Sequence, residues 1–317
     1  MNENLNYALV FPGQGSQTVG MCKEFYNNFG CAKNIFEEAD DALNFNLTRL
    51  MFEGPEEELT LTENAQPAIL TASIAVLKVL TDEMKIKLNP VCVAGHSLGE
   101  YTALVASKVL KFSDGVKLVN KRGKFMQEAV EPGVGSMAAI LGLSSEEVIS
   151  VCESVAKNHE CQPANFNAPG QVVISGLNDF VDMAVNEAKG RGAKRAIKLN
   201  VSAPFHSRLM ISAANKLNEE FKKIDWDYPE WQIISNVDAR PVEEPKEIQA
   251  NLFEQTFSPV LWQNSVEYMA DKLKINAFFE IGSGEVLSGL IKRTIKGINI
   301  KSTGTPQKLE ELAECLR

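Results

Sequence analysis

Unbroken apolar runs closed by glycine or proline alternate along this chain with stretches of helical spacing. Tyr7 to Phe11 is the first such run, and Pro12-Gly13-Gln14-Gly15 stop it, which predicts a buried strand. A helix is predicted near Gln66-Pro67, with Pro67 in its first turn, where a missing N–H is harmless. Val91 to Ala94 is short, apolar and unalternating, as in a parallel sheet covered on both faces. A helix from Glu100 to Ser107 follows it directly. Another runs from about Ser113, as its N-cap, to about Val130, before Pro132-Gly133. Far downstream, Ala277 to Ile281 reads as a late buried strand. Gly282-Ser283-Gly284 then turn into a helix from Glu285.

Between residues 135 and 200 the rhythm changes. Met137 to Leu143 reads as a strand, and Ser144-Ser145-Glu146-Glu147 as a capping box. Val148, Val151, Cys152 and Val155 then fall on one helical face. Strands are predicted at Pro163–Phe166 and Gln171–Ser175, a helix through Val181, Ala184, Val185 and Ala188, and a strand from Arg195 to Leu199. The order β-α-β-β-α-β predicts a ferredoxin-like small domain inserted in a larger one. The expected fold class is therefore α/β. An α/β-hydrolase-like large domain with a parallel sheet spans 1–127 and 204–317, and the inserted small domain spans 128–203.

Composition and charge narrow the function. Hydrophobic residues make up 44% and charged residues 23%, which suits a soluble globular protein rather than a disordered one. There are 32 basic and 41 acidic side chains, a net charge of −9, so no global basic field exists for nucleic acid. Met1-Asn2-Glu3-Asn4 lacks the basic-then-apolar layout of a signal peptide, and Ala68 to Leu80 is too short and too polar to span a bilayer. Six cysteines without a CxxC pair or metal-ligand spacing read as reduced thiols. A cytoplasmic location follows as the expectation, with no membrane and no nucleic acid among the partners.

Gly95-His96-Ser97-Leu98-Gly99 is a G-x-S-x-G sequence. Gly and Ser are common, so the pattern is weak alone. Its place, after a predicted buried strand and before a predicted helix, is that of a nucleophile elbow. Such a turn lifts the serine hydroxyl from the sheet and aims backbone N–H groups at a developing oxyanion. A serine needs a base. Of the three histidines, His96 adjoins Ser97, His159 falls in the small domain, and His206 lies in Ser202-Ala203-Pro204-Phe205-His206, where the chain re-enters the large domain. Loops between domains often carry catalytic groups, which favours His206. No acid presents itself as third member, leaving room for a neutral acceptor. That suits a thioester, whose thiol leaves readily as thiolate.

These residues resemble the bacterial malonyl-CoA:acyl carrier protein transacylases, and more widely the acyltransferase domains of fatty acid and polyketide synthases. The resemblance covers nearly the whole chain. It is carried by Phe11-Pro12-Gly13-Gln14-Gly15-Ser16-Gln17, Gly95-His96-Ser97-Leu98-Gly99-Glu100 and Arg122-Gly123-Lys124-Phe125-Met126-Gln127. It continues through Asn165-Phe166-Asn167, Pro169 to Ile174, Pro204-Phe205-His206, and Gln255 with Pro259-Val260 and Trp262. The resemblance implies transfer of a malonyl group from malonyl-CoA to an acidic acyl carrier protein, with no cofactor and no metal. It implies Ser97 as nucleophile, His206 as base, Gln255 beside the histidine in place of a triad acid, and the N–H groups of Gln14 and Leu98 as oxyanion hole.

Arg122 would bind the malonyl carboxylate, because a guanidinium fork makes two parallel bonds to a carboxylate. Gln66 and Asn165 match positions near the family's active site. Phe205 would exclude branched acyl groups. Gly282-Ser283-Gly284-Glu285 departs from a pattern that often has Pro and Lys at its second and fourth places. Two basic clusters are candidates for docking an acidic carrier protein: Lys189, Arg191, Lys194, Arg195 and Lys198, and Lys292, Arg293, Lys296 and Lys301. The competing readings are a serine thioesterase or esterase hydrolysing acyl thioesters, and a scaffold that kept the fold without activity.

Overall fold

A computed structural model describes residues 5–201 and 203–317. The Met1–Asn4 segment, read above as unlike a signal peptide, and Ser202 of the histidine loop lie outside the described residues. The first part of the chain forms β1 (Tyr7–Phe11), α1 (Lys23–Asn28), α2 (Gly30–Leu43), α3 (Leu47–Glu53), α4 (Glu56–Thr60) and α5 (Thr62–Lys78). Next come β2 (Cys92–Gly95), α6 (Leu98–Ala106) and α7 (Phe112–Glu128). The middle part forms β3 (Gly135–Leu141), α8 (Ser145–Val155), β4 (Cys161–Ala168), β5 (Gln171–Leu177), α9 (Asn178–Gly190) and β6 (Arg195–Lys198). The last part forms α10 (Ile211–Phe221), β7 (Gln232–Ile234), β8 (Pro241–Val242), α11 (Pro245–Gln255) and α12 (Trp262–Asp271). It closes with β9 (Ala277–Glu280), α13 (Val286–Thr294), β10 (Asn299–Ser302) and α14 (Pro306–Leu316).

The molecule is a mixed α/β protein with two sheets. The six-stranded sheet has the order β10-β9-β1-β2-β7-β8, parallel except for the β7–β8 edge pair. Period-two alternation divides its strands between two cores. Tyr7, Leu9 and Phe11 face the core built on α2, α5 and α6, whereas Ala8 and Val10 face the core with Trp262, Val266 and Leu287 of α12 and α13. Both faces are covered, which is why β1 reads as an unbroken apolar run and β9 is apolar up to Glu280. The four-stranded sheet, β4-β5-β3-β6, is antiparallel throughout. One face, with Ala138, Ile140, Val172 and Ile174, packs on α8 and α9. The other, with Met137 and Val173, packs on Met126 of α7 and on Phe205.

Three helix starts differ from expectation, and the simplest is α6, which begins at Leu98 rather than Glu100. Pro67 lies inside α5, which begins at Thr62 rather than at Gln66. A proline there leaves the Glu63 carbonyl without its helical donor. Asn120 Nδ2 on α7 supplies one, at 2.8 Å, so tertiary packing repairs the helix. The α7 helix begins at Phe112 with Lys111 at its N-cap and no side-chain cap, so Ser113 is a helical residue and not the cap. The buried Val116 and Val119 set its start by packing instead. The Ser144–Glu147 capping box is present: Glu147 N–H donates to Ser144 Oγ at 3.2 Å, and Ser144 N–H donates to the Glu147 carboxylate at 2.7 Å. Strands β2 and β3 are each shifted by one or two residues from the predicted runs. No helix among the described residues is long and apolar enough to cross a membrane.

Candidate active site

Ser97 stands between the end of β2 and the start of α6, at φ +52 and ψ −104. A side chain in that conformation is strained, and the surroundings must enforce it. The flanking glycines are part of the enforcement. A Cβ on Gly99 would lie 2.1 Å from the Phe11 carbonyl oxygen, and one on Gly95 would lie 1.9 Å from Gly99 backbone. Only glycine lets the turn fold this tightly against the end of β1.

The Ser97 hydroxyl meets the His206 imidazole, Oγ to Nε2, at 2.7 Å. Nδ1 of the same ring lies 2.7 Å from the main-chain carbonyl of Gln255. A carbonyl can only accept, so Nδ1 carries the proton and Nε2 presents its lone pair to the serine. Gln255 therefore meets the histidine through its backbone. Its side chain, fully buried at the end of α11, goes elsewhere: Nε2 donates to the Ser97 carbonyl at 2.9 Å and to Glu100 Oε2 at 2.8 Å.

Arg122 projects from α7 and is 1% exposed. Gly123 lets that helix close on the start of α5, since a Cβ there would lie 2.5 Å from the Thr62 carbonyl oxygen. The guanidinium donates to Gln66 Oε1 at 2.9 Å, to Gln255 Oε1 at 2.9 Å and to Ser97 Oγ at 3.1 Å. It lies over the Tyr101 ring, 5.2 Å from the centroid, and its Nε has no partner among the described residues. A buried, permanently charged group beside a serine is costly unless the site uses it on an anion.

A cavity of about 390 Å³ opens over these groups, between the two sheets and α13. Gln14, Gln66, Ser97, Arg122, Asn165, Phe205 and His206 all line it. Leu98 and Gln255 complete the set of nine site residues expected from sequence, Leu98 next to Ser97 and Gln255 behind His206. The N–H groups of Gln14 and Leu98 have no acceptor among the described residues, which leaves both able to receive an oxyanion. His96 binds Asn167 Oδ1 at 2.7 Å and packs 5.7 Å from Trp262, and His159 lies exposed in the turn after α8.

Burial dominates the electrostatics. It pulls the His206 imidazole down to about 3, helped by the Arg122 charge and opposed by the Gln255 hydrogen bond. The ring is thus neutral at any ordinary pH, with its Nε2 lone pair free to accept the serine hydroxyl. Burial pushes the Glu100 carboxyl up to about 7, against hydrogen bonds from Gln255 and Asn236 and the Arg122 charge. No motif or spacing in the sequence marks Asn236, Glu100 or Tyr101 as site residues. Asn236 could have been found by its place just beyond the carboxyl end of a short apolar run, where parallel sheets collect functional side chains.

A serine on a strand-to-helix turn over a parallel sheet, with its hydroxyl against an imidazole, is the arrangement of serine acyl-transfer enzymes. Comparison with known proteins places this chain among them. It belongs to the acyl transferase family: the family's acyl transferase domain matches residues 8–310. The malonyl CoA-acyl carrier protein transacylase of Bacillus subtilis is 46% identical over 311 residues, covering 98% of this chain and 97% of the relative. That of Escherichia coli is 43% identical over 308 residues, covering 97% and 99%. The crystal structure of the acyl-carrier-protein-S-malonyltransferase from Bartonella henselae superposes with a TM-score of 0.95 at 43% identity, covering 98% of this chain and 99% of that one. A type II PKS acyl-carrier protein in complex with its malonyl-transacylase matches with a TM-score of 0.94 at 41% identity, covering 98% and 99%.

Proposed function

We propose that this chain transfers a malonyl group from malonyl-CoA to the phosphopantetheine thiol of acyl carrier protein, as a step of fatty acid biosynthesis. The observation that carries the substrate class is the buried Arg122 guanidinium, 3.1 Å from the Ser97 hydroxyl. Ser97 Oγ attacks the thioester carbonyl while His206 Nε2 takes its proton. The N–H groups of Gln14 and Leu98 receive the oxyanion. The C–S bond then breaks, His206 returns the proton to the departing coenzyme A sulfur, and a malonyl-serine ester remains. The carrier-protein thiol gives its proton to His206, attacks that ester and regenerates the serine. Arg122 holds the malonyl carboxylate, taking it in place of Gln66 or Gln255. Phe205 and Asn165 shape the wall opposite. A thioesterase shares the serine and histidine but has no use for a fixed buried cation at the acyl end.

The large unit, 1–127 and 204–317, is read as α/β-hydrolase-like, and 128–203 as a ferredoxin-like insert. The β-α-β-β-α-β order and the antiparallel sheet support that reading. The reading includes a cytoplasmic enzyme. Of the two basic clusters, the one that begins with Lys292 and Arg293 on α13 and ends at Lys301 on β10 is the better candidate for carrier docking. Val286 and Leu290 of that helix line the cavity, and Arg293 NH1 reaches Gln171 of β5, also in the lining, at 2.5 Å. Glu285, the acidic departure, is held by Lys308 and by Ser302 Oγ, so it does not oppose an acidic partner freely.

The test is intact-protein mass spectrometry after brief exposure to malonyl-CoA, with peptide mapping. A malonyl adduct on Ser97 that is discharged by carrier protein is the expected result. The Ser97→Ala protein should form none. Discharge by water alone at the same rate would favour the thioesterase.

A further inference from the structure

The backbone N–H groups of the elbow are claimed almost one by one. His96 N–H donates to the Phe11 carbonyl at 3.2 Å, Gly99 N–H to the His96 carbonyl at 2.9 Å, and Glu100 N–H to the Ser97 carbonyl at 3.1 Å. Ser97 itself stands outside both the strand ladder and the helix. Its N–H goes to a side chain, Oδ1 of Asn236, at 2.7 Å. Asn236 Nδ2 in turn donates to the Gly95 carbonyl at 2.7 Å. One carboxamide thus bridges the backbone on either side of the bend. Leu98 alone in this run keeps an N–H with no acceptor among the described residues.

Asn236 is fixed from behind. It is 1% exposed, its carbonyl accepts Leu261 N–H at 2.9 Å, and its own N–H donates to Glu100 Oε2 at 3.2 Å. The same Glu100 oxygen accepts Gln255 Nε2 at 2.8 Å, and Gln255 holds His206 through its carbonyl. Nucleophile and base are therefore both referred to one buried carboxylate, the serine through Asn236 and the histidine through Gln255.

We propose that Asn236 is the positioning residue of the nucleophile: its carboxamide holds the elbow in the strained form that aims Ser97 Oγ at His206 and leaves the Leu98 N–H for the oxyanion. The proposal rests on the reading of Ser97 as nucleophile. Without the carboxamide, a buried N–H and a carbonyl lose their partners. The bend then relaxes toward common backbone angles. A shift of about 1 Å in Oγ can lower a rate by about 100-fold.

The experiment compares the full-length parent, Asn236→Ala, Ser97→Ala and a control, Ser265→Ala. Ser265 is a buried hydroxyl on α12 that donates to the Leu261 carbonyl, lines no part of the cavity and leaves the Leu261 N–H on Asn236 in place. Steady-state turnover and the rate of acyl-enzyme formation by rapid-quench mass spectrometry are measured for each. Asn236→Ala should lose about 100-fold in kcat and in acylation rate, with KM for malonyl-CoA within about threefold. Ser265→Ala should lower thermal stability and keep kcat. A folded Asn236→Ala with kcat near the parent's, or a loss confined to KM, overturns the proposal. An adduct that persists in Ser97→Ala instead overturns the reading beneath it. Amide hydrogen exchange of the parent gives a variant-free check. The Ser97 amide should be protected and the Leu98 amide not, and a rapidly exchanging Ser97 amide overturns the proposal even if Asn236→Ala does not fold.

Discussion

His206 Nδ1 lies 2.7 Å from the main-chain carbonyl oxygen of Gln255, in the place where a serine triad usually sets a carboxylate. A neutral acceptor fixes the tautomer but stabilises the imidazolium less than a carboxylate does. That is enough for a thioester, whose leaving group needs little protonation. It also means that the residue type at 255 and the contact to the histidine are separable.

Gln255→Ala keeps the carbonyl and therefore the imidazole contact. It removes the side-chain bonds to Arg122, Glu100 and the Ser97 carbonyl. We expect His206→Ala to reduce kcat by about 10³-fold and Gln255→Ala by at least about tenfold less. Steady-state kinetics of the two variants checks this, and equal losses would assign the side chain a direct role on the histidine.

Arg122→Ala should collapse the preference for malonyl-CoA over acetyl-CoA by about 100-fold or more in kcat/KM. A site built around a buried cation rejects an acyl group that leaves it unpaired. Arg122→Lys should recover only part, since an ammonium cannot form the bidentate contact. The ratio of the two kcat/KM values is the measurement, and an unchanged ratio removes Arg122 as the carboxylate anchor.

The pH dependence separates two buried groups. His206, pulled down to about 3, stays neutral as pH falls through 6.5, so no loss of kcat/KM is expected there on its account. Glu100, pushed up to about 7, is the group that titrates near neutrality. A shoulder in the kcat/KM profile near pH 7 should disappear in Glu100→Gln, leaving activity flat down to about pH 5. On stability the signs are opposite. The unfolded chain takes a proton on His206 below about 6.5 that the folded site refuses, so that contribution is lost as pH falls from 6.5 toward 3. Glu100 holds its proton longer when folded, so its contribution is lost as pH rises from about 4.5 through 7.

Gly99→Ala should destabilise the protein by more than about 3 kcal/mol, because the new methyl meets the Phe11 carbonyl oxygen at 2.1 Å. Gly289→Ala, on the exposed face of α13 with nothing within 4 Å of the new methyl, should stabilise it by about 0.5–1 kcal/mol. Urea unfolding of both variants measures the contrast. A tolerated Gly99→Ala would mean that the elbow is not held as tightly as these distances require.

The sequence alone determined what local physics can set. Apolar runs such as Tyr7–Phe11 and residues 277–279 mark strands because both faces of the sheet are covered, and Ser144–Glu147 marks a helix start because its partners are three residues apart. The G-x-S-x-G turn was legible for the same reason: its constraint lies within five residues. Pro67 and Ser113 misled because packing against α7 and the core outweighs a local signal. Only the tertiary structure decided that Asn236 braces Ser97 from 139 positions away, that Gln255 serves through its carbonyl, and that Glu100 ties the two together. A hydrogen bond between residues so far apart leaves no period, spacing or composition in the chain. It exists because parallel strands bring their carboxyl ends to one edge, and folding alone draws that edge together.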